Sequence, residues 1–166
     1  MTTTTAQVSE QSTAQTTAPA TPTPATPVTT GIALAVLRVA IGFLFLAHGW
    51  QKFNQFTIPG TTAAFEQMGV PAAGLAAPLM ATLEVAGGLA LILGLLARIA
   101  GAALALAMVG AIVTVHAPFG IFVADNGFEL VLALAAGSAA VALLGAGRFS
   151  LDRVLFAGRA KASFLA

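Results

Sequence analysis

Four long apolar runs divide the chain after residue 30, and polar residues, glycine and proline separate them. The runs extend from Gly31 to Trp50, from Gly74 to Leu96, from Ile99 to Val115 and from about Phe128 to Gly147. About 17–25 apolar residues are what an α-helix needs to cross a hydrocarbon core. Lipid cannot satisfy exposed backbone polar groups, and no run alternates with the period of a barrel strand. The pattern therefore predicts an all-α fold: an integral membrane four-helix bundle.

The segment before the first apolar run has a different composition. Residues 1–30 are mostly Thr, Ala, Pro and Gln, with Glu10 as their only charge. Recurrent prolines and the lack of apolar surface predict a disordered N-terminal tail, which is either a spacer or, as the alternative, a docking segment for a partner. Because this tail lacks a basic start and an apolar stretch, no signal peptide is expected there. The membrane domain is predicted over residues 31–156, followed by a short basic cytoplasmic tail at residues 157–166.

Two of the connections between the runs carry local structure signals. Residues 51–73 are long enough for a short surface helix near Thr62–Met68, closed by Gly69 and stopped by Pro71. In the other, over residues 117–127, the sequence Asp-Asn-Gly at positions 125–127 is typical of a turn.

Composition narrows the classes of protein that the chain can belong to. It is 58% hydrophobic and only 8% charged, with a mean hydropathy of +0.93, so an ordinary soluble globule is excluded and the lipid bilayer is its first partner. The chain has no cysteine, which excludes dithiol chemistry, thiolate nucleophiles, Cys-ligated iron–sulfur clusters and covalent c-type haem. A net charge of +1 without a basic run gives no indication of nucleic-acid binding.

Charged side chains inside the apolar runs are the first candidates for function. Arg38 lies in the first run, Glu84 in the second and Glu129 at the start of the fourth. A charge in hydrocarbon costs at least ~3 kcal/mol unless it finds a partner or a polar cavity. At ~1.5 Å per residue, Arg38 and Glu84 are expected within about 5–6 Å of each other along the membrane normal. This predicts an Arg38–Glu84 pair, either as a clamp between two helices or as part of a reaction site.

A second polar group is expected where the predicted helices emerge on the outer side. It comprises His48, Lys52, His116, Asp125 and Glu129. Two histidines and carboxylates at one level suit proton exchange or recognition of a polar quinone head. Their spacing is not that of a metal site, so no metal is predicted. The sequence also contains no P-loop, no GxSxG and no HExxH motif.

Taken in order, several of these segments resemble the DoxX family. They are Arg38-x3-Gly42-x6-Gly49-x2-Lys52, Phe65-x3-Gly69-Val70-Pro71, Glu84-x2-Gly87-Gly88-x5-Gly94, and Asn126-Gly127-x-Glu129 leading to Gly147-Arg148-Phe149-Ser150-Leu151-Asp152. The resemblance covers about residues 31–156. It implies a four-helix inner-membrane subunit.

The same resemblance implies a role in redox metabolism. Some members of the family are linked to thiosulfate oxidation with quinone as electron acceptor, and others to membrane complexes with soluble detoxification enzymes. The expected function is a quinone-linked subunit with no cofactor of its own, whose partner is a soluble redox enzyme, a second membrane subunit or another copy of the chain. His48, Lys52, His116 and Glu129 are the candidate quinone or partner residues. The alternatives are a non-enzymatic anchor or assembly protein, and a small-solute or proton pathway lined by Arg38, Glu84 and His48.

The distribution of basic residues predicts that both termini are cytoplasmic. With this orientation six of the seven Lys and Arg residues lie on or toward the inner side, and only Lys52 lies outside. Reporter fusions at residue 30 and at the C-terminus should therefore both give cytoplasmic signals. A periplasmic signal from either fusion would contradict the orientation or the number of spans.

Overall fold

The computed structural model of the protein describes residues 28–156. The predicted tail at residues 1–30 lies outside this range except for its last three residues, and the basic tail at 157–166 lies wholly outside it. Residues 28–156 form six α-helices: α1 (Val28–Asn54), α2 (Thr57–Gln67), α3 (Ala73–Leu93), α4 (Ala97–Ala111), α5 (Glu129–Leu144) and α6 (Leu151–Phe156). Residues 112–128, which connect α4 to α5, contain a π-helical turn and two 3₁₀ turns. The described residues contain no β-strand.

The predicted all-α membrane fold is confirmed. Helices α1 and α3 are long and apolar enough to cross a bilayer. So is α4 together with the π-helical and 3₁₀ turns that extend it to Phe119. Helix α5 is shorter, with 16 residues, which corresponds to roughly 24 Å. These four helices form the bundle, while α2 and α6 are short helices at its two ends.

The predicted surface helix is α2, although it begins at Thr57 rather than at Thr62. Thr57 has a positive φ of 62°, and its hydroxyl oxygen accepts a hydrogen bond from the Gly60 amide at 3.3 Å. Because of this local hydrogen bond the helix begins at Thr57, whereas Pro59 and Gly60 in the sequence indicate a start after them. At the other end Gly69 has a φ of 74°, and the Val70 amide bonds the Phe65 carbonyl at 2.9 Å. The predicted stop at Gly69 is thus confirmed.

Glycine brings α1 and α3 into backbone contact. A Cβ atom added to Gly42 would lie 2.7 Å from the carbonyl oxygen of Gly88, and one added to Gly88 would lie 2.7 Å from that of Gly42. Two turns further along α1, a Cβ on Gly49 would lie 2.8 Å from the Val85 backbone nitrogen. Small residues of this kind let membrane helices approach closely. The contacts set a single antiparallel register between α1 and α3.

Helices α4 and α5 form the second antiparallel pair of the bundle. Gly101 lies against the backbone of α5, where an added Cβ would be 2.7 Å from the Ser138 carbonyl oxygen. Between the two pairs the interior is filled by apolar side chains that are almost completely buried, among them Phe45, Leu91, Leu104 and Val141. The middle of the bundle is therefore largely apolar, although Ser138 is fully buried within α5.

Arg38 does not pair with Glu84, so the predicted Arg38–Glu84 pair is wrong. The guanidinium donates to the carbonyl oxygens of Ala146 and Phe149, just beyond the end of α5. In the register set by the glycines Arg38 is level with Gly94, ten residues or roughly 15 Å from Glu84. Helical side chains also lean toward the N-terminus of their own helix. In antiparallel helices this directs Arg38 and Glu84 away from each other.

Asp152 closes the same end of the bundle. Its carboxylate, which is fully buried, accepts hydrogen bonds from the amides of Leu96 and Ala97 at 2.8 and 3.1 Å, so it caps the start of α4. Its own amide donates to the Gly94 carbonyl at 2.9 Å. Arg98 in turn donates to the carbonyls of Ala142 and Leu143 near the end of α5. Charged side chains here bond unpaired backbone groups at helix ends.

The Asp152→Ala variant should lower stability by about 2–4 kcal/mol, because the amide of Leu96 and the buried amide of Ala97 both lose their side-chain acceptor. Asp152→Asn, which retains one carbonyl oxygen, should lose less. The measurement is the unfolding midpoint in detergent, compared with Asp125→Ala, which removes an exposed carboxylate at the opposite end of the bundle. Equal midpoints for Asp152→Ala and Asp125→Ala would contradict the capping role.

Candidate functional site

Glu84 is bound by Lys52. The Lys52 Nζ lies 2.6 Å from the Glu84 Oε2, and Glu84 is only 4% exposed. Because Gly49 has no side chain, α1 lies directly against the Glu84 Cβ, and Lys52 follows one turn later on the same face. Both side chains lean toward the N-termini of their antiparallel helices, which points each at the other. A carboxylate in the middle of α3 thereby receives its partner from the end of α1.

Three of the predicted site residues line one cavity next to this salt bridge. The cavity, here called the histidine cavity, has a volume of about 270 Å³ and lies between α1, α4 and α5. Its polar lining includes His48, Lys52 and His116. Asn126 and Gly127 of the loop before α5 also line the cavity. The rest of the walls are apolar: Met108, Ala111, Val123, Leu130, Val131 and Leu134. The structure thus brings the two histidines and the lysine together over an apolar floor.

A π-helical turn carries His116 to the cavity. The turn spans Ile112–His116 and follows α4 without a break. Such turns are rare, and they are frequent at functional sites. The His116 Nδ1 lies 2.8 Å from the carbonyl oxygen of Asn126, which orients the ring. The sequence contains no signal for this turn, so the prediction placed His116 only at a helix end.

The loop that holds Asn126 is itself tightly fixed. Asn126 has a φ of 65°, and the Gly127 amide donates to the Phe122 carbonyl at 2.8 Å. A Cβ on Gly127 would lie 2.6 Å from the Gly120 carbonyl oxygen, so only glycine fits there. The predicted turn at residues 125–127 is confirmed, and it supplies the backbone acceptor for His116.

Glu129 and Asp125 do not line the histidine cavity. The Glu129 Oε1 accepts a hydrogen bond from the Val123 amide at 2.7 Å and ties the loop to the start of α5. Asp125 is exposed on the turn. Glu129 therefore has a structural contact, although the sequence had suggested it for a quinone or partner. Among residues 28–156 no group of three or more metal-ligating side chains converges.

A second cavity lies on the other side of Lys52. It has a volume of about 360 Å³, and besides Lys52 it is lined by Phe56, Gly60, Thr61, Ala64, Phe65 and Met68. All of these except Lys52 belong to α2 or to the residues directly before and after it, so we call it the α2 cavity. The sequence predicted the helix but not the space beneath it. Lys52, held by Glu84, is the one side chain that lines both cavities.

Comparison with known proteins places these features in a family. The DoxX family model matches residues 33–117, which include α1, α3 and the π-helical turn. The chain is 35% identical over 130 residues to the "Putative oxidoreductase CatD" of Bacillus subtilis, covering 77% of this chain and 90% of that protein. It is 32% identical over 124 residues to the inner membrane protein YqjF of Escherichia coli (75% and 92% covered). No solved structure matches the chain.

The uncharacterized membrane protein Rv3486 of Mycobacterium tuberculosis is also similar. The two chains are 36% identical over 130 residues, which cover 72% of this chain and 78% of that protein. Like the other two relatives, it matches most of the bundle.

A double-mutant cycle should detect coupling between Lys52 and Glu84. Lys52→Met leaves a carboxylate buried without a partner and should cost about 3 kcal/mol. Glu84→Gln should cost less, because the Lys52 side chain is 17% exposed and borders two cavities. The double variant should recover part of the loss. The unfolding free energy in detergent is the measurement.

The matched control is the cycle of Arg38→Met with Glu84→Gln. Because Arg38 bonds the end of α5 instead, the two effects should add. Additivity in the Lys52 cycle, or coupling in the Arg38 cycle, would refute the pairing described above.

Proposed function

The chain belongs to the DoxX family of membrane proteins, and from this we propose that it is a multi-pass membrane subunit of quinone-linked redox metabolism. In this proposal the ring of the quinone binds in the histidine cavity. The name of one relative, which describes an oxidoreductase, agrees with a redox role, and that of another, an inner membrane protein, agrees with the cell membrane. The electron donor in this proposal is thiosulfate or another reductant.

The observation that carries the proposal is the lining of the histidine cavity. Ligand sites are mostly apolar and contain a few polar groups at defined positions. The histidine cavity has this composition, with His48, Lys52 and His116 as polar groups among apolar side chains. Its volume, about 270 Å³, is at the small end for ligand sites and suits a single ring. Lys52 has three N–H donors and gives one to Glu84, so others can reach a ligand oxygen.

The charge of the site favours a neutral ligand. Glu84 compensates the ammonium of Lys52 at 2.6 Å, so the cavity offers directed donors without a large net positive charge. An anion would have to compete with a carboxylate already in contact with the same nitrogen. A quinone ring is uncharged and has oxygens that accept hydrogen bonds, and its hydrocarbon surface matches the apolar walls.

A partner has to supply the electrons in this proposal. The chain has no cysteine to form a thiol pair or to hold an iron–sulfur cluster. A soluble redox enzyme or a second membrane subunit would therefore donate electrons to the bound quinone. The orientation with both termini in the cytoplasm would put the histidine cavity on the outer side.

An anchor or assembly protein is the second candidate. The feature that favours it is the opposite end of the bundle, where the charges of Arg38, Arg98 and Asp152 all bond backbone groups at helix ends. These contacts stabilise the fold without forming a site. A proton or solute pathway has less support, because Phe45, Leu91 and Leu104 are at most 1% exposed and fill the interior between Glu84 and Arg38.

Cavity filling tests the proposal. In lipid nanodiscs, a short-tailed quinone such as decylubiquinone should bind the wild-type protein, and Ala111→Phe should weaken this binding at least tenfold by occupying the histidine cavity. His48→Ala should also weaken it. The matched control, Ala35→Phe, adds the same bulk to an apolar groove on the outer face of α1 and should bind normally. Binding is measured by titration.

The same experiment separates the candidates. Equal binding by Ala111→Phe and Ala35→Phe, or no binding by the wild type, would reject the quinone site. A soluble enzyme that co-purifies in stoichiometric amount with a protein that binds no quinone would favour the anchor.

A further inference from the structure

We infer that the histidine cavity binds the hydroxyl form of its ring ligand, a hydroquinone, more tightly than the dicarbonyl quinone, and that His116 makes this distinction. The inference rests on the proposed function, because it takes a quinone-type ring as the occupant of the cavity. It adds which redox form the site prefers and which residue recognises it.

The first step concerns the proton on His116. Its Nδ1 lies 2.8 Å from the carbonyl oxygen of Asn126, and a carbonyl oxygen can only accept a hydrogen bond. The Nδ1 must therefore carry the hydrogen. In the neutral ring the other nitrogen, Nε2, then has a lone pair and can only accept.

The second step is that the protein itself, without any ligand, fixes the orientation and the tautomer of the His116 ring. Asn126 stands in a loop held by the Gly127 amide on the Phe122 carbonyl and by the Phe128 amide on the Gly120 carbonyl, at 2.8 and 3.0 Å. Turning the imidazole over would replace Nδ1 by a carbon and lose the bond to Asn126. The His116 ring is thus held as an acceptor on the α4 side of the cavity.

The third step is the opposite polarity of Lys52 on the α1 side. An ammonium group has three donors and no acceptor, and Glu84 takes one of them. The cavity thus has a donor on one wall and an acceptor on another. Among residues 28–156 no hydrogen bond involves the His48 ring, so its ring nitrogens are not assigned in this way by the protein.

A hydroquinone can form hydrogen bonds with both Lys52 and the His116 Nε2, whereas a quinone can form one only with Lys52. Either form can accept a hydrogen bond from Lys52 through a ring oxygen. Only a hydroxyl can also donate a hydrogen bond to the His116 Nε2. A carbonyl oxygen has no hydrogen to donate, so its lone pair would repel that of the Nε2. An acceptor on the protein that faces an acceptor on the ligand weakens binding, here by about tenfold.

The test compares two ligands that differ only in redox state, duroquinone and durohydroquinone. They are titrated without oxygen into the full-length protein in nanodiscs at about pH 8, where an ordinary imidazole is neutral. Durohydroquinone should bind about tenfold more tightly. In His116→Phe the two affinities should become similar, mainly through weaker binding of durohydroquinone. His48→Phe, on the same cavity, should change both affinities in similar proportion.

A spectroscopic measurement tests the tautomer without a ligand. The chain has two histidines, so ¹⁵N-histidine labelling gives two imidazole spectra, and a His48 variant assigns them. The neutral His116 ring should carry its hydrogen on Nδ1. A hydrogen on Nε2, or equal or tighter binding of duroquinone, would overturn the inference while leaving the quinone site intact. If neither compound binds, the proposed function fails as well.

Discussion

The close approach of α1 to α3 is the constraint from which the rest of the molecule follows. Neither Gly42 nor Gly88 has room for a Cβ atom, because a Cβ on either residue would collide with the carbonyl oxygen of the other. Sliding one helix past the other would bring side chains into this contact, so the register has essentially one solution. That register decides the levels of Lys52 and Glu84, which meet, and of Arg38, which lies three turns away.

Helix geometry then separates structural charges from the candidate site. In antiparallel helices that are in register, side chains lean toward opposite ends of the bundle. Arg38 leans toward the end where α5 stops, and it satisfies carbonyls that would otherwise lack donors. Lys52 and Glu84 lean toward each other and remain beside a cavity. The same rule therefore produces a closed polar cap at one end and an accessible polar site at the other.

Much of this architecture could be predicted from the sequence. Apolar length identified the four bundle helices, and glycine and proline signals identified α2 and the turn at residues 125–127. His48, Lys52 and His116 could be grouped because all three stand at helix ends on the same side. The partner of Glu84 could not be found this way, because depths were measured from predicted helix ends. Helix α1 is in fact 27 residues long, and its packing sets the level.

Two other features had no usable sequence signal. Helix α6 has only six residues, too few for a periodic pattern, yet its Asp152 caps α4. The π-helical turn over Ile112–His116 contains no residue type that marks such a turn. The cap made by Asp152 joins segments more than fifty residues apart, and such contacts become visible only when the helices are packed.

Because Lys52 lines both the histidine cavity and the α2 cavity, binding in one cavity would be thermodynamically linked to binding in the other. If the Lys52 ammonium moved toward a ligand in the histidine cavity, the Lys52–Glu84 contact and the shape of the α2 cavity would both change. An apolar molecule under α2 would therefore change the affinity of the histidine cavity for any ligand, and that ligand would change the affinity under α2 by the same factor. Through one side chain, the two spaces would share the consequences of whatever occupies either of them.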